Sequence, residues 1–310
     1  NYLRGEFGDE PFQRIEQARQ EAYDAGLLGK NIQGSGIDFD YHNAIGAGAY
    51  ICGEETALLE SLEGNKGQPR FKPPFPAAYG LYGRPTTINN TESYASVGII
   101  LRKGAEWFSS MGVENAGGMK IFSVSGHVES PGNFEIPLGT PFSQLLELAG
   151  GVWKGRALKA VIPGGSSTPV LPAEVMNDLT MDYDAIAKAG SMLGSGAVVV
   201  MDESVCMVTM LRRISRFYFA ESCGQCTPCR EGTGWLYRVL DRIVAGGGRP
   251  EDIELLDRVA GNIAGKTICA LGDAAAMPVQ GMLRHFRHEF EYFIEHKRSM
   301  VNGAAESAAA

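Results

Sequence analysis

Three cysteines, Cys223, Cys226 and Cys229, are each separated from the next by two residues, and a fourth, Cys269, follows further along the chain. With Gly224 and Pro228 bending the backbone between them, that spacing turns three sulfurs into one concavity, and a distant fourth completes a tetrahedral set. Four thiolates around a cubane iron–sulfur cluster need this arrangement, whereas zinc sites more often pair their ligands as two separated two-Cys knuckles. The pattern favours a cluster, with zinc and purely structural or redox-active thiols as the alternatives. Pro228 and Arg230 are expected to shape and screen the site. Cys52 and Cys206 stand alone and read as small apolar core residues. His42, His127, His285, His288 and His296 form no metal-spaced set with the cysteines.

A second region is built to approach a ligand closely. The stretch Gly46-Ala-Gly48-Ala-Tyr50-Ile-Cys-Gly53-Glu54-Glu55 could bring backbone amides up to phosphates. It lacks both the G-x-G-x-x-G register and the Lys-Ser/Thr ending of a phosphate loop, so a tight loop packed between a strand and a helix is the competing reading. Glu54 and Glu55 could accept hydrogen bonds from ribose hydroxyls or simply favour a helix N-terminus. Lys72 and Phe75, in the proline-stiffened segment 68–76, could supply a cation for a phosphate and a ring for a base, against surface packing as the alternative. Asn89-Asn90 ahead of an apolar run reads first as a helix cap, and with its helix-terminal amides could also hold a phosphate.

The elements that carry these residues follow from periodicity. The spacing predicts an amphipathic helix from Glu10 to Leu28 closing at Gly29, a short strand at Ile37 to Tyr41, a helix over 56–62 and a capped helix within 86–101. Prolines exclude helix and central strand from 68–76. Gly112 to Gly118 reads as a linker. Strands at 119–125, 132–136 and 160–162 around a helix at 141–149 suggest a small α+β unit of β-grasp type. Helical periodicity at 208–220, 235–244, 252–263 and 278–296 suggests a four-helix bundle. Gly303 to Ala310 reads as a disordered low-complexity tail.

Composition limits the partners. Among 310 residues, 28 Lys and Arg stand against 36 Asp and Glu, a net charge of −8 that offers no field for nucleic acid or anionic lipid. The longest apolar runs, such as Ala197 to Met201, are far below the roughly 20 residues of a membrane span. A chain this large and apolar, opening on Asn1 without a secretory leader, is expected to keep its thiols reduced. That opening suggests a missing upstream segment.

Tyr50 to Gly64, Arg70-Phe-Lys-Pro-Pro-Phe-Pro76, Pro85-Thr-Thr-Ile-Asn-Asn90 and Glu221-Ser-Cys-Gly-Gln-Cys-Thr-Pro-Cys-Arg-Glu-Gly232 together resemble the NADH-binding flavoprotein subunits of respiratory complex I, from about Arg4 to Lys297. The resemblance implies an α/β multidomain chain: a partial Rossmann-like FMN/NADH domain at 1–112, a β-grasp (soluble-ligand-binding) domain at 113–203, a helical bundle with a [4Fe-4S] site at 204–298, and a disordered tail at 299–310. It implies that Gly53, Glu54, Glu55, Asn89, Asn90 and Ser93 hold FMN, with Leu271 close to the flavin side of the cluster loop. Ser93 stands where Thr is common and keeps the hydroxyl. Tyr50, Glu55, Lys72 and Phe75 would contact NADH, and Cys223, Cys226, Cys229 and Cys269 would ligate the cluster.

The implied activity is that of an NADH dehydrogenase: hydride passes from NADH to FMN, and single electrons go to the cluster and onward toward quinone. No side chain is implied as a general acid or base. The implied partners are other peripheral-arm subunits, notably a [2Fe-2S] thioredoxin-like subunit and a large iron–sulfur subunit, at the cytoplasmic face of the plasma membrane without direct insertion. A diaphorase subunit of an NAD-linked soluble hydrogenase or formate dehydrogenase is the alternative. The family carries an upstream glycine-rich flavin loop before the position matching Asn1, so the resemblance also implies a subunit truncated at its N-terminus and inactive in isolation.

Overall fold

Short elements bounded by glycine and proline dominate the first third of the chain, and long amphipathic helices the last. A computed structural model describes residues 1–301. The expected disordered tail lies, from residue 302 onward, outside the described residues. The chain is a mixed α/β protein whose backbone divides into two units, Asn1–Ile88 and the remainder from Asn89.

In the first unit, β1 (Tyr2–Leu3) pairs in parallel with β2 (Ala44–Ile45). Helix α1 (Glu10–Asp24) carries a proline in its first turn and ends four residues earlier than periodicity suggests. Gly26 takes a left-handed φ of 66°, which stops the helix before Leu28 can join it. The expected strand at 37–41 reduces to one bridge, Phe39 to Gly29. Ile37 and Phe39 are mostly exposed, so alternation there has no buried face to serve. Helix α2 (Glu55–Leu62) buries Thr56, Ala57 and Leu59, and it begins where Glu54 caps it.

The second unit opens with α3 (Thr91–Lys103), whose first turn is capped by Asn90 as the sequence predicts, and α4 (Ala105–Ser109). Both group with this unit, although the sequence assigns them to the first domain. The expected linker is instead a small hairpin of β3 (Gly112–Val113) and β4 (Ala116–Gly117). Strands β5 (Met119–Gly126), β6 (Gly132–Pro137), β7 (Leu158–Ile162), β8 (Leu171–Pro172) and β9 (Ala197–Asp202) form a five-stranded sheet in the order β6-β5-β9-β7-β8. Only the β5–β9 pairing is parallel; the others are antiparallel. Central strand β9 escapes sequence reading because its apolar run does not alternate, as suits a strand covered on both faces. Helices α5 (Phe142–Leu148), α6 (Ala173–Met176) and α7 (Tyr183–Lys188) flank the sheet, and Phe122, Val124, Phe142, Leu145, Met176, Ile186 and Val198 form its core.

Four long helices follow: α8 (Met207–Glu221), α9 (Thr227–Arg242), α10 (Glu251–Ile263) and α11 (Leu271–His296). Their buried residues recur at three- and four-residue spacing, as in Leu211, Ile214, Ser215 and Tyr218 on α8, or Cys229, Thr233, Leu236 and Leu240 on α9. Helix α9 starts eight residues before the expected Trp235, and α11 seven before the expected Pro278. Both extensions reach back toward the cysteines.

Two buried ionic groups secure this unit. Glu289 of α11 is 2% exposed and pairs with Lys159 of β7 at 2.5 Å. Its second oxygen accepts the backbone N–H of Met207 at 3.0 Å, satisfying an amide at the start of α8. Asp202, at the end of β9, is fully buried. It accepts from the Ser204 hydroxyl and N–H, from the Trp153 indole at 2.7 Å and from Arg156, and it pairs with His127 Nδ1 at 2.9 Å. Burial alone would raise this carboxyl, but these donors outweigh it and hold Asp202 far below the ordinary carboxylate range.

Glu289→Ala leaves the Lys159 ammonium with the Val205 carbonyl but no counter-charge, and the Met207 amide without its acceptor, so an expected loss of about 3–5 kcal/mol should show in chemical denaturation. A loss below about 1 kcal/mol would mean that the pair behaves as a surface one. Asp202 stabilises the fold fully above its unfolded pKa of about 3.9, and that contribution is lost only as pH falls through the lower folded value. Asp202→Asn is expected to lower stability at neutral pH and flatten the acid limb of the stability curve, whereas an acid limb identical to wild type would refute the role.

Candidate functional site

The four cysteines meet at one end of the bundle. Cys223 lies just past the end of α8, and Gly224 after it takes a φ of 80°, a left-handed conformation that turns the chain back toward α9. Cys226 is the residue that caps α9, and Cys229 is buried in that helix's first turn. Cys269 sits two residues ahead of Leu271, which opens α11. Leu271 itself is buried. Two helix N-termini therefore face the thiol group, and both favour negative charge there.

Polar hydrogens are directed at the sulfurs. Ile268 N–H donates to Cys226 Sγ at 3.3 Å, the Leu271 N–H donates to Cys269, and the Ser222 hydroxyl lies 3.3 Å from Cys229 Sγ. The guanidinium of Arg230 donates to Gly224 O at 2.9 Å and so pins the turn between the first two cysteines. Burial pushes the Cys229 thiol up, and the Cys269 thiol up to about 11. Neighbouring cysteines push the same way, while Ser222 and the Leu271 amide oppose.

No group of three His, Cys, Asp or Glu side chains among the described residues is gathered closely enough for one metal ion. A single tetrahedral zinc, with Zn–S near 2.3 Å, needs sulfurs roughly 3.8 Å apart. A looser group of four thiols that still interact electrostatically suits a centre of several irons. The buried Gln225 Oε1, within the cysteine motif, has no hydrogen-bond partner. The donor set thus fits an iron–sulfur cluster.

In the first unit, Lys72 Nζ bridges Glu54 Oε1 at 3.0 Å and Glu55 Oε1 at 2.5 Å. The other Glu54 oxygen accepts from the Thr56 hydroxyl and from the Thr56 and Ala57 amides, as the cap of α2. Burial would raise Glu54, yet Thr56, Ala57 and Lys72 together hold it below its ordinary value. Burial likewise pulls the Lys72 ammonium down, and Glu55 and Glu54 more than offset it. Glu54 takes the helix-terminus role that the sequence offers, and both carboxylates carry the lysine.

Sequence reading assigns Arg70 no role of its own, although the structure makes it the anchor of the proline segment. Its guanidinium pairs with Glu60 at 2.5 Å and Glu63 at 2.7 Å and donates to Gly80 O. Its backbone N–H donates to Thr56 Oγ1 at 2.8 Å, so the lysine loop and the start of α2 share one network. The signal available in the sequence is an arginine in a proline-rich segment a short distance after Glu60 and Glu63. Phe75 is 59% exposed and presents an open ring. Tyr50 carries the Arg4 guanidinium 5.8 Å from its ring centre. Gly53 is exposed, and a Cβ placed on it would meet nothing within 4 Å.

Asn89, Asn90 and Ser93 group with the second unit. Asn90 Oδ1 accepts the Ser93 N–H at 2.7 Å, so the capping role is present, while all three residues remain exposed. The Asn89 amide is 3.4 Å from the Tyr94 hydroxyl. The exposed amides of Asn89 and Asn90 and the hydroxyl of Ser93 can donate to the oxygens of a nucleotide. A cavity of about 650 Å³ in the second unit is lined by residues such as Val113, Val175, Leu179 and Asp182, and by none of those singled out in the sequence.

Comparison with known proteins agrees with this chemistry. Residues 2–98 match the model of the Nuo51 FMN-binding domain, 121–171 that of the SLBB domain, and 209–293 that of the NADH-ubiquinone oxidoreductase-F iron–sulfur binding region. The NADH-quinone oxidoreductase F subunit of Rickettsia bellii (strain OSU 85-389) is 56% identical over 296 residues, 95% of this chain and 71% of that protein. Its counterpart in Rickettsia typhi is 56% identical over 292 residues, 94% of this chain and 69% of that protein. Among solved structures, an NAD+-reducing [NiFe]-hydrogenase in the H2-reduced state superposes with a TM-score of 0.84 at 33% identity. The match covers 94% of this chain, which spans about half (48%) of the hydrogenase chain. Identity of this degree to the Rickettsia proteins, over most of both partners, makes the chain a member of the NADH-quinone oxidoreductase F-type family.

Proposed function

We propose that this chain is the electron-input subunit of an NADH:quinone oxidoreductase, taking electrons from NADH and passing them on singly toward quinone. The observation that carries the reading is the group of four thiols between the N-termini of α9 and α11, with N–H and O–H groups aimed at three of the sulfurs. When bound, FMN supplies a hydride acceptor, which no unmodified side chain can provide, and a [4Fe-4S] cluster supplies a one-electron acceptor.

The chain's own work is holding and orienting. Cys223, Cys226, Cys229 and Cys269 ligate the cluster, and the helix termini and directed N–H groups stabilise its negative charge. Loading must displace the protons of Cys229 and Cys269, whose thiols burial pushes up. Gly53, Glu54, Glu55, Asn89, Asn90 and Ser93 hold the flavin, and the open space at Gly53 supports close backbone approach. Leu271 lies on the flavin side of the cluster loop. Tyr50, Glu55, Lys72 and Phe75 receive NADH, with the ring stacking on a base and the lysine available to phosphate. No side chain acts as general acid or base.

By this reading 1–112 form the flavin and nucleotide domain, 113–203 a β-grasp domain and 204–298 the cluster bundle. No helix among the described residues is long and apolar enough to cross a membrane. The subunit would reach the cytoplasmic face of the membrane through a [2Fe-2S] thioredoxin-like subunit and a large iron–sulfur subunit. A diaphorase role in a soluble hydrogenase is the second reading, favoured by the hydrogenase superposition. Identity of 56% to the quinone-linked proteins against 33% to the hydrogenase decides for quinone.

Cys226→Ala is expected to abolish the cluster's EPR signal and remove about four irons per chain from the anaerobically purified protein. Unchanged iron and labile sulfide would refute the ligand set, and zinc without sulfide would make it structural. In the assembled complex, Lys72→Ala removes a charged hydrogen-bonding group and should raise the KM for NADH by about 10- to 100-fold, with a smaller change in kcat. An unaltered KM would remove Lys72 from the NADH site.

A further inference from the structure

Strand β5 breaks its own pattern at one position. Phe122 and Val124 are buried and Ile121 and Ser123 exposed, so alternation calls for an apolar side chain at 120. A lysine stands there, with its side chain only 9% exposed. Its stem runs past Gly196, where an added Cβ would lie 2.9 Å from Lys120 Cε, so a glycine keeps the passage open. Burying an ammonium is costly unless it is paired. Lys120 Nζ ends on Glu92 Oε2 at 2.8 Å, and Glu92 Oε1 accepts the Ile121 N–H at 3.0 Å.

Glu92 lies in the first turn of α3, between Asn90 and Ser93. That helix buries no side chain, and Tyr94, Val97 and Leu101 are 55%, 48% and 80% exposed. Apolar packing therefore does not fix its N-terminal end. Burial would raise the Glu92 carboxyl, but Lys120 and the Ile121 amide outweigh it and hold it below its ordinary value.

We infer that Glu92 and Lys120 form a positioning strap that fixes the N-terminal turn of α3 to β5, and with it the Asn89, Asn90 and Ser93 groups that meet FMN. The inference rests on the flavin reading of those three residues. It gives the sheet a part in the reaction: the strand sets where a flavin-holding helix begins. Both strap residues act through those three groups, so they position the flavin site and are not catalytic.

The test uses the full complex and compares Lys120→Met, Glu92→Gln, Lys120→Arg and Asn90→Ala. FMN affinity is read from flavin fluorescence, FMN midpoint potential by redox titration, and iron content and thermal midpoint as controls. Lys120→Met and Glu92→Gln are expected to weaken FMN binding by about tenfold or more and to shift its potential, with iron content retained and KM for NADH moving less. Lys120→Arg keeps the pair and should restore near-wild-type affinity. If Asn90→Ala weakens FMN while both strap variants stay within about twofold of wild type, the strap is overturned. If Asn90→Ala also leaves FMN affinity unchanged, the flavin assignment of this helix terminus falls and the strap falls with it.

Discussion

Four thiols must stand together, mostly out of water, and still be able to carry negative charge; the bundle is arranged around that demand. Burial works against it, as the raised Cys229 and Cys269 thiols record. Helix termini work for it, because the first amides of a helix have no internal partner and present partial positive charge. The sequence places one cysteine as the cap of α9, another a turn inside it, and a third just ahead of α11. Interior packing then holds those termini in place, since Cys229 shares its buried stripe with Leu236 and Leu240. On the proposed reading, one helix face serves both core and cofactor.

The first unit solves a related problem with side chains instead of helix ends. Lys72 needs a fixed position in a loop whose prolines leave few backbone donors. Arg70 fixes the loop through Glu60, Glu63 and the Gly80 carbonyl, and its own amide reaches Thr56. Thr56 in turn donates to Glu54, which accepts from Lys72. The arrangement closes on itself, so the lysine and both carboxylates hold one another where a phosphate or a hydroxyl could exchange into the set.

Much of the candidate site is legible in the sequence because its signals are local. The Asn90 cap and the proline segment each depend on neighbours a few residues away, and each takes the form its spacing predicts. The start of α9 escapes the periodicity because its first turns hold Cys229, the Arg230-Glu231 pair and two glycines instead of an apolar stripe, and that of α11 because Gly272 and three small alanines precede Pro278 there. Strand β9 escapes it for the opposite reason: burial on both faces removes the alternation that marks a strand. The Arg70 network and the Lys159–Glu289 pair join residues that only the folded chain brings together, and nothing in their spacing announces a partner.

Lys120 shows where such long-range partners can still be suspected. A charged residue in a core-facing slot of an otherwise alternating strand violates the local pattern, and natural folds keep such violations where something else depends on them. Glu289 in the buried face of α11 and Asp202 at the end of β9 are violations of the same kind, and each proves to hold together elements distant in sequence. What separates Lys120 from them is its partner. Glu289 and Asp202 answer to the ends of helix α8 and strand β9, whereas Lys120 answers to a helix that buries nothing of its own and begins in exposed amides. An anchor with no core to stabilise is best accounted for by the groups it carries.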